Sequence, residues 1–337
     1  MINLIEKLRK SIDEIDGRII KNLAERKNLV MKIAALKKSM KLPVHDSKRE
    51  KSMLESLKKS ARDSGLDEDL IGSIFNLIFE NSRLEQEIRN SVQKCRIKEI
   101  GLIGCGRFGK LAARYLSEDF RVHVFDRNNK FGGKKNIVAS ALGEACKKNI
   151  VVLAVPISEF ENTLKDAAPL INKSTLVIDV CSVKEYPAKL MRKLFAKNIR
   201  VLATHPLFGP DSASDSLAGR KIALCRVRVD DGLYNQVKAY LKSKGLAVIE
   251  TTPQEHDMQM AKSLVLSHLI GRALIEMKAG NLEIDTRGYR DLVKIVDAVR
   301  HDSLQLFEDM NHYNRFSKKS RKEFIKSMLN VEKRLEK

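Results

Sequence analysis

The chain has 337 residues, 43% of them hydrophobic, with a formal net charge of +20. That length suits two or three domains with a sizeable core, and no apolar run reaches the roughly 20 residues that span a bilayer. The basic excess points to anionic partners, but the chain has no tryptophan and only 5% aromatics, too few stacking platforms for a single-strand binder, so no nucleic acid is expected. Five cysteines, an odd number without a C-x-x-C pair, argue against a disulfide framework or a metal site. They fit a reduced, cytoplasmic setting. No basic stretch followed by an apolar one opens the sequence, so no secretory signal is expected.

Residues 1 to 92 read as three helices. Apolar residues recur at helical spacing from Leu4 through Leu8, Ile12, Ile15, Ile19, Leu23, Leu29 and Ile33 to Leu36, which predicts one long helix ending near Met40. Lys41-Leu42-Pro43 breaks it. Asp46 and Ser47 offer caps for a second helix over 47–62, and Asp67 opens a third after Ser64-Gly65. Three helices of such unequal length do not close a compact domain, so the long one is expected to pack against its copy in a homodimer. Arg26 and Lys37 fall within roughly 20° of each other on one helix face. Arg9 lies about 26 Å from Arg26 along a straight helix. It cannot share a small ligand with Lys37 and is expected to serve the partner subunit's site. Asp46, Arg49 and Glu50 share a face of the second helix, as Ser82 and Gln86 do on the third.

The runs Leu8-Arg9, Ala24-Glu25-Arg26, Ala35-Leu36-Lys37-Lys38, Pro43 to Glu50 and Glu80 to Gln86 resemble the all-helical class of chorismate mutases over nearly the whole segment. The resemblance implies that Arg26 and the partner's Arg9 bind substrate carboxylates, with Arg49 in support. It implies that Lys37 and Gln86 hydrogen-bond the ether oxygen, that Glu50 receives the ring hydroxyl, and that Asp46 and Ser82 complete the shell. Chorismate rearranges to prephenate without nucleophile or proton transfer. Negative charge builds on the ether oxygen, so fixed donors there and a clamp on the compact conformer suffice. The alternative is a helical module used only for dimerisation or regulation.

Residues 97 to 228 alternate strand and helix. The run 97–103 reads as a buried strand, Gly104-Cys105-Gly106-Arg107-Phe108-Gly109 follows, and a helical run starts at Lys110. A G-x-G-x-x-G between strand and helix allows a tight turn and brings pyrophosphate to a helix N-terminus, so Gly104, Gly106, Arg107, Phe108 and Gly109 are expected to bind a dinucleotide. The next strand, Arg121 to Phe125, ends at Asp126, which can hold ribose hydroxyls and disfavour a 2′-phosphate. NAD is therefore expected, with Arg127 leaving some tolerance for NADP. Further strands at 150–155, 176–180 and 201–204 imply a doubly wound parallel Rossmann sheet.

Asp179 to Lys184 and Thr204-His205-Pro206-Leu207-Phe208-Gly209-Pro210-Asp211-Ser212 lie at strand ends, where such sheets place ligands. Together with the glycine motif they resemble the prephenate dehydrogenase family, the fused mutase–dehydrogenases above all. The resemblance implies that His205 takes the ring-hydroxyl proton of prephenate as hydride leaves for NAD, and that Ser182 orients that hydroxyl. A histidine suits the role because its ordinary pKa lies near working pH.

Residues 229 to 337 read as helical, and their resemblance to the prephenate dehydrogenase family implies an all-α dimerisation and substrate domain. A long helix starts at Glu255-His256-Asp257, and Ser267-His268-Leu269 lies within it. The resemblance implies that His268 faces the substrate, and His256 reads as structural. The family's later arginine for prephenate's carboxylate falls, by length matching, at Asp297 or Ala298. Arg272, Arg290, Lys294 or Arg300 could replace it. A second family histidine is replaced by Gly271. These departures leave arogenate open as the dehydrogenase substrate.

Overall fold

A computed structural model describes residues 2–40, 46–91, 97–127 and 135–336; the side chains of residues 2, 3, 38, 80 and 83–91 lie outside the described set. The chain divides into two compact units, residues 1–94 with 236–245 and residues 95–235 with 246–337.

The first unit holds α1 (Ile2–Ser39), α2 (Ser47–Asp63) and α3 (Glu68–Ser91). α3 packs against both α1 and α2. The expected caps form. Asp46 Oδ1 accepts from the Arg49 N–H at 3.1 Å, and Asp67 Oδ1 accepts from the N–H groups of Asp69 and Leu70. Gly65 turns the chain at φ +71°, a conformation costly for any residue with a Cβ. Among the described residues, the buried apolar side chains of α1 to α3 are Ala34, Ala61 and Phe79, while the predicted stripe of α1 stays exposed. The break expected at Lys41-Leu42-Pro43 lies outside the described residues.

The second unit is built on a sheet of eight strands: β1 (Glu99–Ile103), β2 (Arg121–Phe125), β3 (Ile137–Ala139), β4 (Ile150–Leu153), β5 (Leu176–Asp179), β6 (Arg200–Pro206), β7 (Lys221–Arg228) and β8 (Ala247–Thr251). They lie in the order β3-β2-β1-β4-β5-β6-β7-β8. β1 to β6 run parallel, β7 turns antiparallel to β6, and β8 runs parallel to β7. Four helices alternate with these strands along the chain, α4 (Arg107–Leu116), α5 (Leu142–Cys146), α6 (Ile157–Ala167) and α7 (Glu185–Leu194), and α8 (Asp231–Ser243) follows β7 with its residues from 236 onward in the first unit. Val151, Leu153, Val177, Val201 and Leu202 are fully buried, as strands covered on both faces require. The strand order reverses between β1 and β4, which opens a crevice beyond their carboxyl ends.

The sheet runs past residue 228, because β8 pairs in parallel with β7. Helices follow: α9 (Pro253–Lys262), α10 (Leu264–Glu276), α11 (Arg287–Arg300), α12 (Leu304–His312) and α13 (Ser317–Leu335). The single helix expected from Glu255 is two, broken at Ser263, whose ψ of −75° departs from helical geometry. Gly271 lets α10 approach α11: a Cβ there would lie 2.5 Å from Val299 Cγ2 and 3.2 Å from the Ile295 carbonyl oxygen. No side chain fits at that position. α12 is tied to the sheet domain by Asp309, which accepts from the Ser158 N–H at 3.1 Å and caps a helix whose own N-cap is a proline.

Candidate active sites

In the first unit Arg26 is the anchored cation. Its Nη1 donates to Ser82 Oγ at 2.6 Å, and Ser82 Oγ donates to the Ile78 carbonyl oxygen. The guanidinium lies 5.5 Å from the centroid of the Phe79 ring. Burial lowers its pKa from the ordinary value, yet a guanidinium stays cationic in a protein. Arg26 and Ser82 therefore meet, from α1 and α3. Lys37 on α1 and Glu50 on α2 are half-buried, whereas Arg9, Asp46 and Arg49 are exposed. The side chain of Gln86 lies outside the described set.

In the second unit the glycine turn takes the geometry a dinucleotide needs. Gly104 has φ +98°, and a Cβ on it would sit 2.3 Å from the Ala154 carbonyl oxygen. A Cβ on Gly109 would sit 2.2 Å from the Gly104 carbonyl oxygen. Gly106, the N-cap of α4, has no protein atom within 4 Å of where its Cβ would be. That open space over a helix N-terminus fits a pyrophosphate. Asp126, at the end of β2, accepts from the Cys105 N–H at 2.6 Å, so its carboxylate lies beside the turn. Arg127 is held by Glu159 and Asp166, each at 3.1 Å. Phe108 packs against Phe208 of the H-P-L-F-G-P loop, with centroids 6.3 Å apart. Arg107 grips Asp211 with Nη2 at 2.8 and 2.9 Å, and Nη1 reaches the His301 carbonyl oxygen and Asp302.

Pairing of β5 with β6 brings Ser182 and His205 to neighbouring strand ends. Lys184, fully buried, donates to Asp179 and to the Thr204 carbonyl oxygen, and so ties those two ends together. Ser182 Oγ is buried without a hydrogen-bond partner. His205 Nδ1 lies 2.8 Å from His256 Nε2, and His256 Nδ1 lies 2.8 Å from Asp257 Oδ1. Asp257 also accepts from the N–H groups of Lys184 and Glu185. His256, read from the sequence as structural, is thus bonded directly to His205.

The Asp257 carboxylate only accepts, so it fixes each tautomer in turn. His256 carries its proton on Nδ1, His205 carries its proton on Nδ1, and His205 Nε2 is left as a bare acceptor. Burial, then the nearby His256 and Lys184, hold the His205 pKa well below 6.5. The imidazole is therefore neutral at pH 7.

His268 on α10 is buried, with Nε2 3.6 Å from Asp302 Oδ2 and Nδ1 unpartnered. Burial depresses its pKa too. Among the described residues no cluster of metal-ligating side chains forms.

Comparison with known proteins matches separate segments of the chain. Residues 8–87 match the family described as chorismate mutase type II, and residues 121–250 match the prephenate dehydrogenase nucleotide-binding domain. A chorismate mutase of Methanocaldococcus jannaschii is 33% identical over 87 residues, 26% of this chain and 88% of that protein. The chain belongs to the type II chorismate mutases and the prephenate dehydrogenases. This mutase–dehydrogenase carries an isomerase and an oxidoreductase activity of tyrosine biosynthesis. Its residues 273–337 match the TYRAAT1-like C-terminal domain. Arogenate dehydrogenase 2, chloroplastic, of Arabidopsis thaliana is 26% identical over 242 residues, 68% of each chain. The fold of the dehydrogenase unit is shared with a prephenate dehydrogenase from A. aeolicus solved with hydroxyphenyl propionate and NAD+. There the TM-score is 0.57 at 18% identity, over 72% of this chain and 91% of that one.

Proposed function

We propose that the chain performs two consecutive reactions: chorismate to prephenate in the first unit, then NAD-dependent conversion of prephenate to 4-hydroxyphenylpyruvate and carbon dioxide in the second. The buried Asp257–His256–His205 chain carries this reading, because it leaves one bare nitrogen, His205 Nε2, at the strand ends. In the first unit Arg26, together with the partner's Arg9, holds the two carboxylates of chorismate. Lys37 and Gln86 stabilise charge on the breaking ether bond, Glu50 takes the ring hydroxyl, and Asp46, Arg49 and Ser82 support them.

In the second unit Ser182 Oγ and His205 Nε2 receive the ring hydroxyl of prephenate. His205 takes the hydroxyl proton, and the charge it gains is stabilised through His256 by Asp257. A dinucleotide held at the glycine turn by Gly104, Gly106 and Gly109 beside Asp126 would supply the acceptor for the hydride of the same ring carbon. Loss of the ring carboxylate as carbon dioxide leaves the aromatic ring. His268 lines the substrate side.

NAD is the cofactor on this reading. A 2′-phosphate would face the Asp126 carboxylate, and Arg127 is engaged by Glu159 and Asp166 rather than free to greet it. The chain acts as a homodimer, because the α1 stripe needs a partner and Arg9 needs a site. We place it in the cytoplasm on its buried free thiols at Cys105, Cys146, Cys181 and Cys225. No helix among the described residues is long and apolar enough to cross a membrane. The similarity to an arogenate dehydrogenase favours arogenate as the second reading. NADH formation, followed by absorbance with prephenate in one cuvette and arogenate in the other, separates the two. Faster turnover of prephenate is expected, and turnover of arogenate alone would replace that reading.

A further inference from the structure

A substrate with two carboxylates must meet cationic donors, and the sequence offers four for its second unit: Arg272, Arg290, Lys294 and Arg300. Their surroundings separate them. Arg290 and Lys294 have side chains 62% and 74% exposed and are paired with Asp285 and Asp291. Arg300 is exposed as well. Arg272 is half-buried on α10, one helical turn after His268 and on the same face. Both side chains meet Phe307: the His268 ring stacks on it at 6.5 Å, and the Arg272 guanidinium lies 5.9 Å from its centroid.

The hydrogen bonding of this pair is incomplete. Arg272 Nη2 donates to the Asp302 carbonyl oxygen, which fixes the plane of the guanidinium. Arg272 Nε and His268 Nδ1 are buried with no hydrogen-bond partner. A buried polar atom left without a hydrogen bond is costly, and more so on a charged group, so these two atoms one turn apart mark where a ligand completes the wall. The location is right for the substrate. Asp302 faces His268 with one oxygen, and its other oxygen is 3.5 Å from Arg107 of the glycine turn.

We propose that Arg272 binds the side-chain carboxylate of the dehydrogenase substrate, donating from Nε and from the guanidinium hydrogens that Asp302 does not use. This rests on the prephenate dehydrogenase reading and adds the residue that anchors its substrate. The choice of carboxylate follows from the reaction. The ring carboxylate leaves as neutral carbon dioxide, and a guanidinium on it would stabilise the charge that has to vanish. The side-chain carboxylate keeps its charge to the end, so an anchor there binds substrate, transition state and product alike. Such an anchor acts on KM and leaves kcat nearly unchanged.

The test uses the full chain. Turnover of prephenate by the parent checks the function reading separately, before any variant is read. In Arg272→Gln the KM for prephenate is expected to rise roughly ten- to a hundredfold, with kcat within about threefold. The calorimetric Kd of 3-(4-hydroxyphenyl)propionate, which carries only a side-chain carboxylate, should rise by the same factor. Arg272→Lys should recover part of both losses, as a point charge without the fork. An unshifted thermal unfolding transition of the dehydrogenase unit reports that each variant is folded. If the Gln variant is not folded, the Lys variant is read alone, and its KM and Kd must still rise together. Unchanged KM and Kd would overturn the proposal. So would a KM that rises while propionate binding holds, which would move Arg272 to the ring carboxylate, or a loss confined to kcat.

Discussion

On α1, Leu8 is 58% exposed and Leu36 62%, whereas Val177, Val201 and Leu202 at the centre of the sheet are 0% exposed. Both units were legible through hydrophobic periodicity, yet only one meets its own pattern with a partner inside the chain. The dehydrogenase unit covers both faces of its strands and links Asp257, His256 and His205 within one chain. The mutase unit presents a full apolar stripe outward and leaves Arg9 exposed, far along α1 from Arg26. The difference teaches that a period of 3.6 fixes which face is buried but not whether a second copy buries it.

The largest effect that sharpens this contrast falls on the closed site. His205→Asn should lower the dehydrogenase kcat by about a thousandfold, because it removes the general base, and leave the mutase rate alone. Stopped assays of both reactions on one preparation check it. Next comes the buried pair under that site. Lys184 and Asp179 are both 0% exposed, so Lys184→Met strands a carboxylate in the core and should cost about 3–5 kcal/mol. Thermal unfolding of the dehydrogenase unit should then shift down by roughly 10 °C, while a neutral exchange of an exposed lysine such as Lys318 shifts nothing.

In the open unit Arg26→Ala should lower mutase kcat/KM by about ten- to a hundredfold, the worth of a charged hydrogen-bond donor, with the dehydrogenase untouched. Dilution should break the comparison from the other side. If the α1 stripe needs a partner, mutase activity per chain falls once the dimer dissociates, in parallel with the sedimentation coefficient. A mutase rate independent of concentration in a proven monomer would contradict the homodimer.

Acid provides a smaller effect. His205, His256 and His268 all titrate below their ordinary 6.5 in the folded chain, with burial the leading cause in each. Between that value and their depressed folded values the unfolded chain binds more protons, so stability falls as pH drops below about 6.5. Denaturant midpoints at pH 7 and pH 5.5 should differ in that direction, and His256→Gln should shrink the difference.

Much of the candidate chemistry was written in local runs. The glycine turn, Asp126 and the His205 loop announce themselves because each needs a particular residue at a fixed offset from a strand end. The caps at Asp46 and Asp67 did so for the same reason. What escaped depends on distant pairing. β8 is an edge strand with Ala247, Ile249 and Glu250 exposed, so it lacks the apolar run that marked the central strands. β3 is three residues long. His256 meets His205 from 51 positions away, and the Glu255-His256-Asp257 run looked only like a helix start. The choice of Arg272 among four cations required knowing which guanidinium is half-buried beside His268, and spacing does not carry that information.

The most direct test of the central claim, that one chain joins both reactions, is NADH formation from chorismate and NAD by the purified parent and its Arg26→Ala variant. The account predicts NADH from chorismate in the parent, a slowed signal in the variant, and equal rates from prephenate in both. NADH from prephenate but none from chorismate in the parent would contradict it, and would leave the three N-terminal helices as a scaffold.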